Sequence, residues 1–251
     1  MRQAPVKPAK KERPFPALFV GFLLVISLLA AGATLLLSAP REDTSVPSME
    51  EMISAKAAVI AETNQYDLTI EESGPGYTIR FVGQVSDSKL YGKIDAYDLE
   101  VFSDREKYFV KGASVFTDWE EAGKAELDAL SVLVRNPIEL LQVLTSGDRF
   151  LVEEGPDRLV DDVNCRTYFL EIPPPDIQMV TRFEDEDATL DKLQLYLWFN
   201  EDGNFMHRMA MLLNVTVEGE NIQVNRIYSL SPRSKELPED LPQVDEDVLA
   251  I

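Results

Sequence analysis

Between Pro14 and Pro40 the chain carries no charged residue, and the run from Ala17 to Leu37 is apolar almost throughout. About 20 apolar residues in a helix cross a hydrocarbon core roughly 30 Å thick. Backbone amides in lipid have to pair within their own segment, so such a run is helical if it spans a membrane. Arg2, Lys7, Lys10, Lys11 and Arg13 precede it against a single Glu12, and an acidic chain follows it. Basic residues stay on the cytoplasmic side, which places the N-terminus inside and everything after Pro40 outside. A cleaved leader is the alternative, because Ala31-Gly32-Ala33 has the small residues of a cleavage site. The apolar run continues past Ala33 to Leu37, and that extra length favours a retained anchor.

The first 40 residues carry a net charge of +4, so the remainder brings −24 to a chain whose total is −20. Nucleic-acid phosphates bind to Lys and Arg, so a nucleic-acid partner is excluded for a surface of this sign. Anionic lipid headgroups would also repel it. Cys165 is the single cysteine, so no intrachain disulfide forms and the exported part depends on its own core.

Ser48 is a fair N-cap for a helix from Met49 to Thr63, with Met52, Ile53, Ala57 and Ile60 at helical spacing. From Tyr66 onward, short runs rich in β-branched and aromatic residues alternate with turn residues: 66–70, 77–85, 97–102 and 107–111. Residues 120–135 and 137–144 read as helices broken at Asn136-Pro137. Strands resume at 149–153, 158–161 and 163–172, and the polar stretch 176–191 reads as an exposed helix or loop. Two long strands, 192–200 and 204–218, flank the hairpin signal Glu201-Asp202-Gly203, and 222–230 follows a second turn. The expected fold is mainly β with helices (α+β). It is a curved antiparallel sheet of about nine to eleven strands, forming an open or half β-barrel with helices on its concave face. The expected organisation is a basic cytoplasmic tail (1–16), a transmembrane helix (17–39), a linker (40–48), a β domain (49–231) and an acidic disordered tail (232–251).

The order of elements resembles the lipoprotein-carrier superfamily, whose branches include periplasmic lipoprotein chaperones, mycobacterial lipid-binding lipoproteins and a sigma-factor regulatory domain. The resemblance rests on the N-terminal helix before a β-meander, the helical insertion Asn136–Leu144, the strand Cys165–Ile172 and the hairpin Leu195–Met209 with its Asp202-Gly203 turn. It implies an apolar cavity between the concave sheet and the helices, able to hold acyl chains. Candidate lining residues are Tyr77, Ile79 and Phe81 on one strand, Met206, Ala210 and Leu212 on another, and Trp198. The run Met206–Leu213 has apolar groups at odd and even positions, with Met206, Ala210 and Leu212 expected on one side and Met209, Met211 and Leu213 on the other. That pattern predicts a strand covered on both faces. Trp119 and Trp198 fit either a rim or an interior position.

His207 is the only histidine, so no multi-histidine metal site exists. The acidic run Glu184–Asp187 lacks the ligand spacing of a calcium loop. No catalytic set and no cofactor motif is present. The function classes that remain are a membrane-anchored extracytoplasmic binding protein for a lipid or acylated ligand, and a sensor or regulator that uses the same fold to bind a membrane partner protein.

Overall fold

The computed structural model describes residues 47–105, 107–112, 114, 116–146, 150–181, 188–233 and 236–243. The expected basic tail, the anchor at 17–39 and the acidic run 184–187 lie outside the described residues. Among the described residues, no helix is long and apolar enough to cross a membrane. Residues from Pro47 onward form one compact unit.

Its elements are α1 (Met49–Ala61), β1 (Gln65–Gly74), β2 (Tyr77–Ser86), β3 (Lys89–Ile94), β4 (Leu99–Asp104), β5 (Lys107–Gly112), β6 (Phe116–Glu121), α2 (Lys124–Leu133), α3 (Pro137–Thr145), β7 (Leu151–Val160), β8 (Val163–Ile172), β9 (Thr189–Asn200), β10 (Met206–Val217) and β11 (Glu220–Pro232). All eleven strands form one antiparallel sheet in the order β6-β5-β4-β3-β2-β1-β11-β10-β9-β8-β7, with β6 and β7 as edges, so the sheet does not close. Strands β3 and β6 are additions to the sequence reading. β6 takes residues expected to open the helix before Asn136, and that helix starts only at Lys124. The two strands expected at 149–161 are one strand, β7, with a bulge between Gly155 and Arg158. In the stretch 176–191, a short 3₁₀ turn stands at Ile177–Met179 and β9 begins at Thr189. Of the expected tail, Pro232 closes β11, and residues 236–243 hold a turn at Glu239–Asp240.

Tight turns fix most of the register. Asp161 and Asp162 both have positive φ, as do Glu218 and Gly219, which is the backbone of two-residue hairpins whose twist matches the strands. Gly83 and Gly92 face each other across β2 and β3, and the Phe81 ring lies over both, so a Cβ on either would overlap it. An aromatic ring thus fills the space left by a glycine pair where a side chain would not fit.

One face of the sheet is buried under the helices. Ile53, Ala57 and Ile60 of α1 and Ile138, Leu140, Leu141 and Leu144 of α3 pack in one cluster with Tyr66, Leu68, Ile70, Phe81, Met209, Met211, Leu213, Tyr228 and Leu230. α1 starts with a capping box: Glu51 N donates to Ser48 Oγ (3.2 Å) and Ser48 N to Glu51 Oε2 (2.9 Å). Ser54 Oγ donates to Thr145 O (3.2 Å), fastening α1 to α3.

A charged pair lies inside this core. Glu72 and Arg226 stand directly opposite across β1 and β11 and are 2% and 1% exposed. Arg226 Nε donates to Glu72 Oε2 (2.7 Å), as does Nη2, and Nη1 donates to Val132 O at the end of α2 (3.1 Å) and to Tyr228 Oη (3.4 Å). Tyr77 Oη donates to the other carboxylate oxygen (3.1 Å).

Two outcomes follow. Truncating one partner leaves an uncompensated buried charge, so Arg226→Met or Glu72→Leu alone should cost about 3–5 kcal/mol of stability in urea unfolding. The double variant should lose less than the sum of the two. Burial lowers the His207 pKa below its usual 6.5, against an opposing pull from Asp161. The unfolded chain therefore takes up a proton first as pH falls, and stability should decline from about pH 6.5 down to the lower folded value. In His207→Leu the unfolding midpoint should be flatter between pH 6.5 and 5.5.

Candidate functional site

Clefts among the described residues include three of about 580, 620 and 680 Å³. The first lies over β1–β3 and β11 on the outer face, where Glu236 and Pro238 also line it. The second sits at the ends of β1–β3 beside Arg233 and Leu237. Of these three, the one of about 680 Å³ lies between the helices and the inner face of the sheet.

The apolar side chains lining this groove are Val85 of β2, Leu90 of β3, Tyr108 of β5, and Leu127, Val132 and Val134 on and just after α2. Its polar lining includes the cations Lys89, Arg105 and Arg135 and the carboxylates Asp87, Asp128 and Glu139. Leu130 and Leu133 anchor α2 in the core, and Arg226 holds its last turn through Val132 O. Between α2 and α3, Arg135 Nη1 donates to Met179 O (3.0 Å).

Asn136 is the pivot of this junction. Its Oδ1 caps α3 by accepting from Ile138 N (2.9 Å) and Glu139 N (3.4 Å), and it accepts from Tyr66 Oη (2.7 Å) on β1. Pro137 at the first helical position costs no hydrogen bond there. Burial, with Glu139 in support, pushes the Tyr66 hydroxyl well above its usual range, so it stays a donor. Burial likewise raises Tyr108, opposed by Arg135 and with a lesser push from Glu139. The groove lining thus combines the protonated Tyr108 hydroxyl, apolar side chains and charges of both signs.

The sequence-selected residues separate onto two faces. Ile79, Phe81 and Met206 are buried in the inner core, and Tyr77 packs against it while donating to Glu72. None of the four lines the groove. Ala210, Leu212 and Trp198 are half-buried on the other side of the sheet. The expected grouping of Met206 with Ala210 and Leu212 fails because β10 carries a bulge between Met206 and Arg208, which resets the alternation. Met206, Met209, Met211, Leu213 and Val215 are buried while the intervening positions from Arg208 to Asn214 are half-exposed, so β10 is not covered on both faces. Trp119 makes edge contacts with Tyr91 and Phe102, at 6.4 Å each.

Asp161 acts electrostatically on both Cys165 and His207. Burial above all raises the Cys165 thiol, so it stays protonated and is a poor nucleophile. Among the described residues no group of three His, Cys, Asp or Glu side chains is placed to hold a metal ion.

The residues that sequence reasoning missed are Glu72, Tyr108, Arg135, Asn136 as a tertiary acceptor, and Arg226. A signal existed for two of them. Glu72 shares its parity with Tyr66, Leu68 and Ile70, and Arg226 with Val224, Tyr228 and Leu230, so each charge reads as inward-facing.

No family model matches the chain, and no curated protein matches its sequence. Solved structures do share its fold loosely. The lipoprotein LppX of Mycobacterium tuberculosis is 10% identical, with 75% of this chain and 98% of that one aligned at a TM-score of 0.47. LprF from Mycobacterium bovis is 10% identical over 75% of this chain and 96% of that one, at 0.44. A putative outer membrane lipoprotein-sorting protein domain from Vibrio parahaemolyticus is 8% identical over 75% and 94%, at 0.32.

Replacing Asn136 by Ala removes a helix cap and leaves the Tyr66 hydroxyl without its acceptor. The expected loss is about 2–4 kcal/mol in chemical unfolding. Asn136→Asp keeps both acceptor roles and should lose less.

Proposed function

We propose that this is a membrane-anchored, extracytoplasmic binding protein that holds a lipid or acylated ligand without catalysis, with the groove under α2 as the binding place. The anchor is the apolar run at 17–39, and the side is set by the basic residues before it. The observation that carries the ligand reading is the groove's division of labour. Val85, Leu90, Tyr108 and Val132 supply apolar surface, and Lys89, Arg105 and Arg135, set among Asp87, Asp128 and Glu139 in the same lining, would hold an acidic headgroup. Burying the chain of such an amphiphile contributes about 25 cal/mol per Å² of apolar surface, and a few polar groups set its orientation. The remaining inner face is filled by its own side chains under α1 and α3, so the ligand belongs at the α2 end.

A second reading has one observation in its favour. The groove lining is rich in charges of both signs, which also suits a charged segment of a partner membrane protein.

Native mass spectrometry of the full chain released from mild detergent tests the proposal. A co-purifying acylated species at one per chain is expected. Ser131→Trp, which fills the groove from α2 without touching the buried core, should remove it with little change in stability. A clean apo mass, with no uptake of a fluorescent fatty acid, would overturn the lipid reading and leave the partner-protein one.

A further inference from the structure

Two of the clefts adjoin, because Asp87 and Lys89 line both the groove and the cleft at the ends of β1–β3. That second cleft, of about 620 Å³, is far larger than a carboxylate needs and falls in the size range of small-molecule sites. One wall of it is the C-terminal segment, through Glu236 and Leu237. In that segment Leu237, Pro238, Leu241 and Pro242 are half-buried, whereas Glu236, Glu239, Asp240 and Gln243 are exposed. An acidic, Pro-rich stretch stays solvated unless its few apolar groups find a surface, so the packed Leu-Pro pairs mark a docked segment. Two contacts agree with this. Arg233 Nη1 donates to Ser86 Oγ (2.9 Å), and Asp240 adds to burial and Glu100 in pushing the Tyr91 hydroxyl up to about 12.

The charges of this cleft balance. Lys89 and Arg233 line it with Asp87 and Glu236, and Gln65 and Ser86 add neutral donors and acceptors. Asp87 Oδ1 accepts from Asn64 Nδ2 (2.6 Å), which fixes that carboxylate at the turn between β2 and β3. Among the described residues neither Lys89 nor Glu236 forms an ion pair, although both line one cleft. A cation and an anion held apart in this way suit a ligand that carries both signs. A purely anionic group would meet Asp87 and Glu236 together with the negative field of the whole domain, whereas a zwitterion has no net charge to be repelled.

We infer that this cleft is the headgroup compartment of the amphiphile assigned to the groove, and that the headgroup is a zwitterion of the phosphoethanolamine kind. The inference rests on the lipid reading above and goes beyond it in naming the headgroup. The acyl chain lies against Val85, Leu90 and Tyr108, and the phosphate sits where the two clefts meet, between Lys89 and Arg233. The ammonium ends beside Asp87 and Glu236. The C-terminal segment is therefore part of the site. It supplies a carboxylate that separates an ethanolamine headgroup from a glycerol one, since both carry the same phosphate and only the first carries a cation. Discrimination comes from the attraction at Glu236 for one ligand and from the lack of any compensation there for the other.

The test is native mass spectrometry of the full chain in mild detergent, offered equal amounts of oleoyl lysophosphatidylethanolamine and oleoyl lysophosphatidylglycerol. The ethanolamine lipid should occupy at least ten chains for each one holding the glycerol lipid. Glu236→Gln, an exposed position, should bring that ratio close to one without moving the melting temperature or the uptake of oleate. Leu237→Asp combined with Leu241→Asp, which undocks the segment, should do the same. Excess soluble phosphoethanolamine should not displace the bound lipid, because the acyl chain holds it in the groove. Equal occupancy by the two lipids, or a preference that Glu236→Gln leaves intact, would overturn the headgroup assignment while the lipid reading stands. Full displacement by soluble phosphoethanolamine would overturn the joined site, since the cleft would then act alone. Binding of neither lipid nor of oleate would overturn the lipid reading and this inference together.

Discussion

The pairing of Glu72 with Arg226 is the constraint on which the rest of this structure depends. Every neighbouring pair of strands in the sheet is also consecutive in sequence, except β1 and β11. Hairpin turns set the register of the consecutive pairs, but nothing local sets it where residues 154 apart meet. Because side chains alternate with period two, a slip of one residue at this seam would turn Arg226 to the outside and leave a buried carboxylate with no cation. The pair therefore specifies how the two meanders, β1–β6 and β7–β11, join. Taking two charges out of water is expensive, and the arrangement tolerates it because the guanidinium and both carboxylate oxygens are hydrogen-bonded. The bond to Val132 O extends the same constraint to α2. One cross-strand pair thus fixes both the sheet and the helix that forms the groove wall.

How far the sequence foretells this architecture depends on whether the deciding interaction is local. Strands β1, β2, β8, β9 and β11 are readable because their alternation is intact, and β10 because its hairpin turn with β9 is. β3 is hidden by Gly92, which argues against a strand until Gly83 and the Phe81 ring are placed against it. β6 is hidden by composition: its acidic end, Glu120-Glu121, reads as the start of the helix expected at 120–135, and only its pairing with β5 makes Phe116–Glu121 a strand. The candidate site shows the same division. Alternation along β2 places Ile79 and Phe81 correctly on one face, but along β10 it fails at a single bulge, so Met206 and Ala210 face opposite ways. A bulge has no dependable sequence mark, and every residue beyond it inherits the error.

The packing of the inner face also explains why its groove lies at one end. α1 and α3 present Ile53, Ile60, Leu140 and Leu141 to the sheet and fill the space beneath them. Among the described residues the buried side chains of α2, Leu130, Val132 and Leu133, lie in its last turn, where the Arg226 bond also holds it. The junction that follows it is pinned by Asn136 and Arg135. Rigid support at the junction and lighter packing along α2 combine to leave a groove there and a solid core elsewhere.

The edges narrow the remaining possibilities for recognition. An open sheet offers two rows of unpaired backbone groups, and an extended partner can add itself to either. β7 carries Pro156 and a bulge between Gly155 and Arg158, amid Glu153, Glu154 and Asp157. Proline removes a ladder donor, and the bulge twists the strand away from any partner. β6 is short, pairs irregularly with β5, and bears Asp118, Glu120 and Glu121. Both edges are therefore poor templates for strand addition. What the domain leaves open is its faces: the groove on the inner side, where apolar side chains meet charges, and the row of Phe169, Tyr196 and Trp198 on the outer side.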